Sequence, residues 1–362
     1  MKPHRLERMF NPRSVAVLGA SEDVASVGGR VFNNLITDGF SGPVIPVNPH
    51  HKTVRGRDCF GSVLDLEAIP DLAVIATPAR TVVEVIRQCD EKGIGAAIVL
   101  SAGFGETGEA GARLADAARR ADIRFVGPNC LGIMRPPIGF NATFLAAPAP
   151  AGRLALVSQS GALCAAITDW AGEHHLGFST IVSLGNAADV DFGDILDYLA
   201  GDPKSDAILL YVEGIKHVRA FTSGLRLAAR AKPVIVLKAG RHERGSKAAS
   251  THTGALVGSD EVFDAALERA GVVRAMTFGQ LFAAAEMLAA SRRVGSGRLA
   301  IVTNGGGAGV LATDRAEDLG TALAELDPKP SLRSMPCSRP TGRTAIPSTF
   351  WETPPRRRMA PS

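Results

Sequence analysis

From Ser14 onward the chain repeats one pattern: a short apolar run, a turn containing glycine, then a stretch with apolar residues at helical spacing. The runs Val15–Leu18, Val44–Val47, Leu72–Ala76, Ala96–Leu100 and Arg124–Val126 predict buried strands, and Thr81–Lys92 is one of the helical stretches between them. Unbroken apolar strands separated by helices mark a parallel sheet covered on both faces, so the first block is expected to be Rossmann-like α/β. A Pro/Ala segment, Ala146–Gly152, breaks the pattern before Leu154–Val157 restarts it. Strands near Thr180–Ser183, Ala207–Val212 and Pro233–Lys238, with helices between them, predict a flavodoxin-like second block. A third begins at Arg298 with strand Leu299–Thr303, a glycine turn and helix Val310–Leu319.

The periodicity then stops. From Pro328 to Ser362 there are eight prolines and six arginines in 35 residues, a composition that predicts disorder. The expected organisation is therefore domains at 1–148 and 149–293, the start of a third α/β domain at 294–327, and a tail at 328–362.

Composition narrows the function classes. A 362-residue chain that is 46% apolar can bury two α/β cores, and its 5% aromatic content weighs against a sandwich fold. A formal charge of +4, dispersed among 36 acids, leaves no basic stripe, so no nucleic-acid partner is expected. Five cysteines without a CxxC pair point to neither a disulfide framework nor a zinc site, and no metal site is expected. Met1–Arg13 lacks the apolar core of a signal peptide and eighteen consecutive apolar residues occur nowhere, so a soluble cytoplasmic protein without a membrane partner is expected.

Three strand-to-helix turns have the composition of phosphate cradles: Gly19-Ala20-Ser21 through Gly28-Gly29, Ser158-Gln159-Ser160-Gly161, and Asn304–Gly309. Small residues let backbone N–H groups approach an anion, toward which the next helix points its positive end. The same residues also serve simply to end strands and cap helices. The first turn is not GxGxxG, and Pro46-Val47-Asn48-Pro49 offers no acid to a ribose hydroxyl, which argues against NAD. Lys52, Arg55 and Arg57 follow instead, suiting either a ligand with an extra ribose phosphate, such as coenzyme A, or a solvated loop. The Ser158 turn lacks the glycine that a GxSxG nucleophile elbow requires.

His252 stands apart from the other histidines. It lies in Ser250-Thr251-His252-Thr253-Gly254, after a stretch rich in glycine and cations. A neutral imidazole among hydroxyls and cations suits a transient phosphohistidine, and it equally suits an ordinary surface position. A carboxylate on its other ring nitrogen would fix the tautomer, and Glu213, at the exit of Ala207–Val212, is the best placed candidate.

Together these residues resemble a known family. Phe10–Ser21, Pro46–Pro49, Ser101–Phe104, Gly127–Gly132, Val157–Leu163 and Thr251–Leu256 resemble the alpha-chain region of acetyl-CoA synthetase (ADP-forming), and more distantly the succinyl-CoA synthetase alpha subunit, over about Arg5–Leu326. The resemblance implies a first domain that binds coenzyme A through Gly19, Ala20, Ser21, Gly28, Asn48, Pro49, Lys52, Ser101, Ala102 and Gly103. It implies that His252 is phosphorylated and oriented by Glu213, between the anion-binding turns Ser158, Gln159, Ser160, Gly161 and Gly305, Gly306, Gly307. The reaction implied is acyl-CoA plus phosphate plus ADP giving acid, coenzyme A and ATP, through an acyl phosphate. ADP or ATP, with Mg, would bind only through an ATP-grasp beta subunit or domain.

Two departures stand out. Thr251 replaces the serine that relatives carry before the histidine, and the third domain is expected to be truncated, with no ATP-grasp domain following. Codons can be chosen for Thr344–Thr353 so that a shifted frame reads Gly-Asn-Pro-Ile-Asp-Ile-Leu-Gly-Asp-Ala, a family-like segment, so a frameshift near Pro328 is expected. Two other readings are an inactive coenzyme-A-binding remnant and the regulatory region of a protein lysine acetyltransferase of similar build.

Overall fold

The computed structural model describes residues 4–104, 109–242, 245, 259–289 and 297–324. His252 and the tail from Pro328 lie outside the described residues. The chain divides into two units, Met1–Ser291 and Arg292–Ser362.

The larger unit holds two main sheets. Its first part contains β1 (Val15–Leu18), β2 (Val44–Val47), a small hairpin of β3 (Thr53–Val54) and β4 (Arg57–Asp58), then β5 (Leu72–Ile75), β6 (Ala96–Val99) and β7 (Arg124–Val126). The main strands are all parallel, in the order β2-β1-β5-β6-β7. Helices α1 (Glu7–Phe10), α2 (Val27–Thr37), α3 (Ala79–Lys92) and α4 (Glu109–Arg120) connect or precede them.

The second sheet is built from β8 (Gly132–Arg135), β9 (Phe140–Thr143), β10 (Ala151–Ser158), β11 (Phe178–Ser183), β12 (Ala207–Val212), β13 (Val234–Lys238) and β14 (Val273–Ala275), in the order β14-β13-β12-β10-β11-β8-β9. Helices α5 (Gly161–Glu173), α6 (Phe192–Gly201), α7 (Val218–Ala231), α8 (Asp260–Ala270) and α9 (Phe278–Ala289) accompany it. Its parallel strands, numbered by appearance, run second, first, third, fourth, fifth, which is the flavodoxin-like order. The first sheet follows the same winding.

The period of two along each strand assigns side chains to opposite cores. Val15 and Val17 enter one apolar cluster and Ala16 and Leu18 another, so β1 is buried on both faces as its unbroken apolar run predicted. The cluster holding Val15 and Val17 also holds Ala155 and Val157 of β10, so inner faces of both sheets share one continuous core. Each such fully buried Val or Leu contributes roughly 1.5–3 kcal/mol, which explains why the two sheets form a single unit.

Two features differ from expectation. The chain passes from the first sheet to the second between Val126 and Gly132, earlier than the compositional break at Ala146–Gly152, because the hairpin β8–β9 pairs antiparallel to β11. Among the described residues of the smaller unit, Leu299–Thr303 takes part in one isolated bridge, Leu299 to Leu323, and not in a continuous ladder. Helix α10 (Gly306–Asp318) starts earlier than Val310. Among the described residues no helix is long and apolar enough to cross a membrane.

Candidate functional site

In a doubly wound sheet, the connections leaving two neighbouring strands go to opposite faces at one place, and this opens a crevice at their carboxyl ends. The second sheet has that switch point between β10 and β12. The sequence-predicted residues Ser158, Gln159, Ser160 and Gly161 follow β10, and Glu213 follows β12, so the fold brings them to the two lips of one crevice.

Each lip is built by local chemistry. The Ser158 hydroxyl, fully buried, donates to the Ser160 carbonyl at 2.9 Å and accepts from the Ser160 N–H at 3.0 Å, tightening the turn. Ser160 then caps α5 by accepting from the Leu163 N–H at 3.3 Å, which leaves the helix start directed at the crevice. Opposite, Glu213 is 7% exposed, with the Tyr211 phenol close enough to feel the charge of its carboxylate. Burial, and then that carboxylate, push the Tyr211 pKa up to about 12, so the phenol stays protonated. Tyr211 was not among the residues picked out by sequence. Its signal was present, because residues two apart at a strand end share a face.

The side chain of Gln159 is not directed at solvent. Its carbonyl accepts from the Glu213 N–H at 2.7 Å and the Gly214 N–H at 3.0 Å, while its amide donates to the Gly214 carbonyl at 2.8 Å. Neither neighbouring thiol competes as a nucleophile: burial above all pushes Cys130 and Cys164 to about 12.

The smaller unit repeats the turn chemistry. Thr303 donates its hydroxyl to the Gly305 carbonyl at 3.2 Å and accepts from the Gly305 N–H at 3.1 Å, as Ser158 does with Ser160. Gly306 and Gly307 follow at the start of α10, and a Cβ on either would meet nothing within 4 Å.

The switch point of the first sheet lies between β1 and β5. Gly19, Ala20 and Ser21 follow β1, and Asn48 ties the β2 exit to them by donating to the Ala20 carbonyl at 2.8 Å. Ser101, after β6, donates to the Thr77 carbonyl after β5 at 2.5 Å, and exposed Ala102 and Gly103 continue from it. Pro49 and Lys52 are exposed at the rim, whereas Arg57 donates to the Val44 carbonyl at 3.2 Å and Arg55 lies 3.9 Å from the Glu22 carboxylate.

Gly19 has φ +90°, and a Cβ on Gly28 would stand 1.9 Å from the Gly19 carbonyl oxygen, so α2 can start against the β1 turn only because residue 28 has no side chain. Gly28→Ala is expected to displace that helix start and lower stability by roughly 1–3 kcal/mol. Gly111→Ala is the control, because its Cβ meets nothing within 4 Å and a helix gains from the exchange. Thermal melts check both.

The comparisons with known proteins agree with this geometry. The CoA binding domain family matches residues 13–136, and the succinyl-CoA ligase like flavodoxin domain family matches residues 151–288. The alpha subunit of acetate–CoA ligase [ADP-forming] I from Pyrococcus furiosus is 43% identical over 326 residues, covering 88% of this chain and 71% of that subunit. The chain belongs to the ADP-forming acetate–CoA ligase family. A longer family member, acetate–CoA ligase [ADP-forming] I from Archaeoglobus fulgidus, is also 43% identical over 326 residues, and the chain spans only 47% of its length. Among solved structures, the acetyl-coenzyme A synthetase 1 of Ca. Korarchaeum cryptofilum in complex with phosphate and ADP superposes with a TM-score of 0.85 at 38% identity, covering 88% of this chain and 70% of that one.

Proposed function

We propose that this chain is the coenzyme-A-binding and phosphohistidine-carrying part of an acyl-CoA synthetase that forms a nucleoside triphosphate. The observation that carries the reading is the crevice of the second sheet. A hydroxyl-capped helix start and a buried carboxylate stand on its two lips, in a chain 43% identical to an alpha subunit of that family.

In this reading coenzyme A lies across the β1–β5 switch point, its phosphates near the Gly19–Ser21 turn and the exposed rim at Pro49 and Lys52. Inorganic phosphate attacks the acyl carbonyl of the bound thioester, giving an acyl phosphate and free coenzyme A thiol. An imidazole nitrogen of His252 then attacks the phosphorus, releasing the carboxylic acid and leaving a phosphohistidine. Glu213 accepts from the other ring nitrogen and balances the positive charge of the phosphorylated ring. The N–H groups at the start of α5, from Gly161 onward, neutralise the phosphoryl oxygens. Transfer to ADP, with Mg, takes place on an ATP-grasp beta subunit or domain, and the whole reaction is cytoplasmic.

The test is labelling of the full chain with acetyl-CoA and radiolabelled phosphate, and separately with radiolabelled ATP plus an ATP-grasp beta subunit. Acid-labile, base-stable label on the wild type, and none on His252→Ala, is the expected result. Label that persists in His252→Ala, or survives acid, overturns the assignment.

A further inference from the structure

Gln159 sits in the turn that leads into α5, whose start faces the crevice, yet its own polar atoms are spent elsewhere. A glutamine side chain has one carbonyl oxygen with two lone pairs and one amide with two N–H groups. Here both lone pairs are taken by the Glu213 and Gly214 N–H groups, and one N–H is given to the Gly214 carbonyl. Its backbone N–H donates to the Tyr211 carbonyl at 3.3 Å. The residue is 9% exposed, so these bonds form away from water, where leaving a donor unpaired costs about 1–3 kcal/mol.

These four bonds run from the residue just after β10 to the residues at the end of β12. They join the lip that carries the start of α5 to the lip that carries the buried carboxylate. We infer that Gln159 is a positioning residue: it sets the spacing between the Ser158–Gly161 turn and Glu213 and touches no phosphate itself. The inference rests on the reading above, in which those two lips serve the phosphoryl group and the imidazole of His252. A rigid strut at this point matters because displacing a reacting group by about 1 Å can cost on the order of 100-fold in rate.

Two variants of the full chain separate this role from direct phosphate binding. Gln159→Met keeps the length and removes all three side-chain bonds. Gln159→Glu keeps an oxygen for the two N–H groups and turns the contact with the Gly214 carbonyl repulsive. The limiting rate of His252 labelling from acetyl-CoA and radiolabelled phosphate is expected to fall about 10- to 100-fold in Gln159→Met, with the phosphate KM and coenzyme A affinity unchanged and Gln159→Glu intermediate. Amide hydrogen exchange at Glu213 and Gly214 should accelerate in Gln159→Met. A raised phosphate KM with the limiting rate kept, worse in Gln159→Glu because of its charge, would identify a direct ligand and overturn the inference. An unchanged rate, or unchanged exchange at the two amides, overturns it as well. Absence of acid-labile label from the wild type, or its persistence in His252→Ala, strikes the reading of His252 instead, and the exchange measurement still decides whether the strut exists.

Discussion

Replacing Glu213 with glutamine should slow formation of the acid-labile label by about 100-fold or more, the range removed with a positioned acid–base partner, while coenzyme A affinity stays unchanged. Glutamine preserves the volume of the side chain, so the packing at the end of β12 survives. The negative charge does not. In the wild type the carboxylate is nearly enclosed, with the Tyr211 phenol beside it. A charge fixed in a poorly solvated place acts more strongly than the same charge in water. In Glu213→Gln the phosphorylated ring would lose its counter-charge, and the neutral ring would lose the charged acceptor that selects its tautomer. Single-turnover labelling and calorimetric titration with coenzyme A check the two halves of this expectation. A labelling rate equal to the wild type's would remove Glu213 from the mechanism.

The second large effect concerns stability. Arg135→Ala should cost about 3–5 kcal/mol, the usual result of breaking a buried ion pair from one side. Arg135 has no solvent exposure, and its Nη2 lies 3.2 Å from the Asp202 carboxylate, which is also buried. The guanidinium lies near the Phe10 and Tyr198 rings, 5.8 and 5.9 Å from their centroids, and Nη1 donates to the Tyr198 hydroxyl at 3.3 Å. Truncation would take the guanidinium from the buried Asp202 carboxylate and leave it the weaker support of the Ser205 hydroxyl and the Lys204 N–H.

The sign of the pH dependence follows from the same pair. Burial raises the Asp202 pKa, but the Ser205 hydroxyl and the Arg135 charge outweigh it, so the folded value lies below the ordinary 3.8. A depressed carboxylate stabilises the fold above its unfolded value, and that contribution disappears as the pH falls through the folded one. The melting temperatures of wild type and Arg135→Ala should therefore differ most near neutrality and converge as the pH drops below 3.8. A gap that is constant across this range would show that lost packing, and not charge, carries the effect.

The main sheets were legible because their strands are written locally. Val15–Leu18 is apolar at every position, and a run of that kind between glycine turns has few alternatives to a doubly buried strand. The candidate residues were legible for a similar reason. Ser158–Gly161 and Glu213 sit directly after apolar runs, and the carboxyl ends of parallel strands are where a sheet of this type opens.

The hairpin β8–β9 was not legible, and its residues show why. Arg135, Asn141 and Thr143 are polar yet buried, so the apolar–polar alternation of Phe140–Thr143 suggests a solvent face where there is none. Their partners come from far along the chain: Arg135 meets Asp202, 67 residues away, Asn141 meets Asp38 at 103, and the Thr143 carbonyl accepts from Asn34 at 109. The strut made by Gln159 was hidden in the same way, since its bonds reach 54 and 55 residues ahead. By itself the sequence determined the strands, the capped turns and the order in which they follow one another, because these depend on residues a few positions apart. Only the tertiary structure decided which sheet the hairpin joins, which polar groups are satisfied inside, and that the Ser158 turn and Glu213 face one crevice. Those outcomes depend on pairings between distant segments, and a buried polar group is tolerated only once its partner has been brought to it.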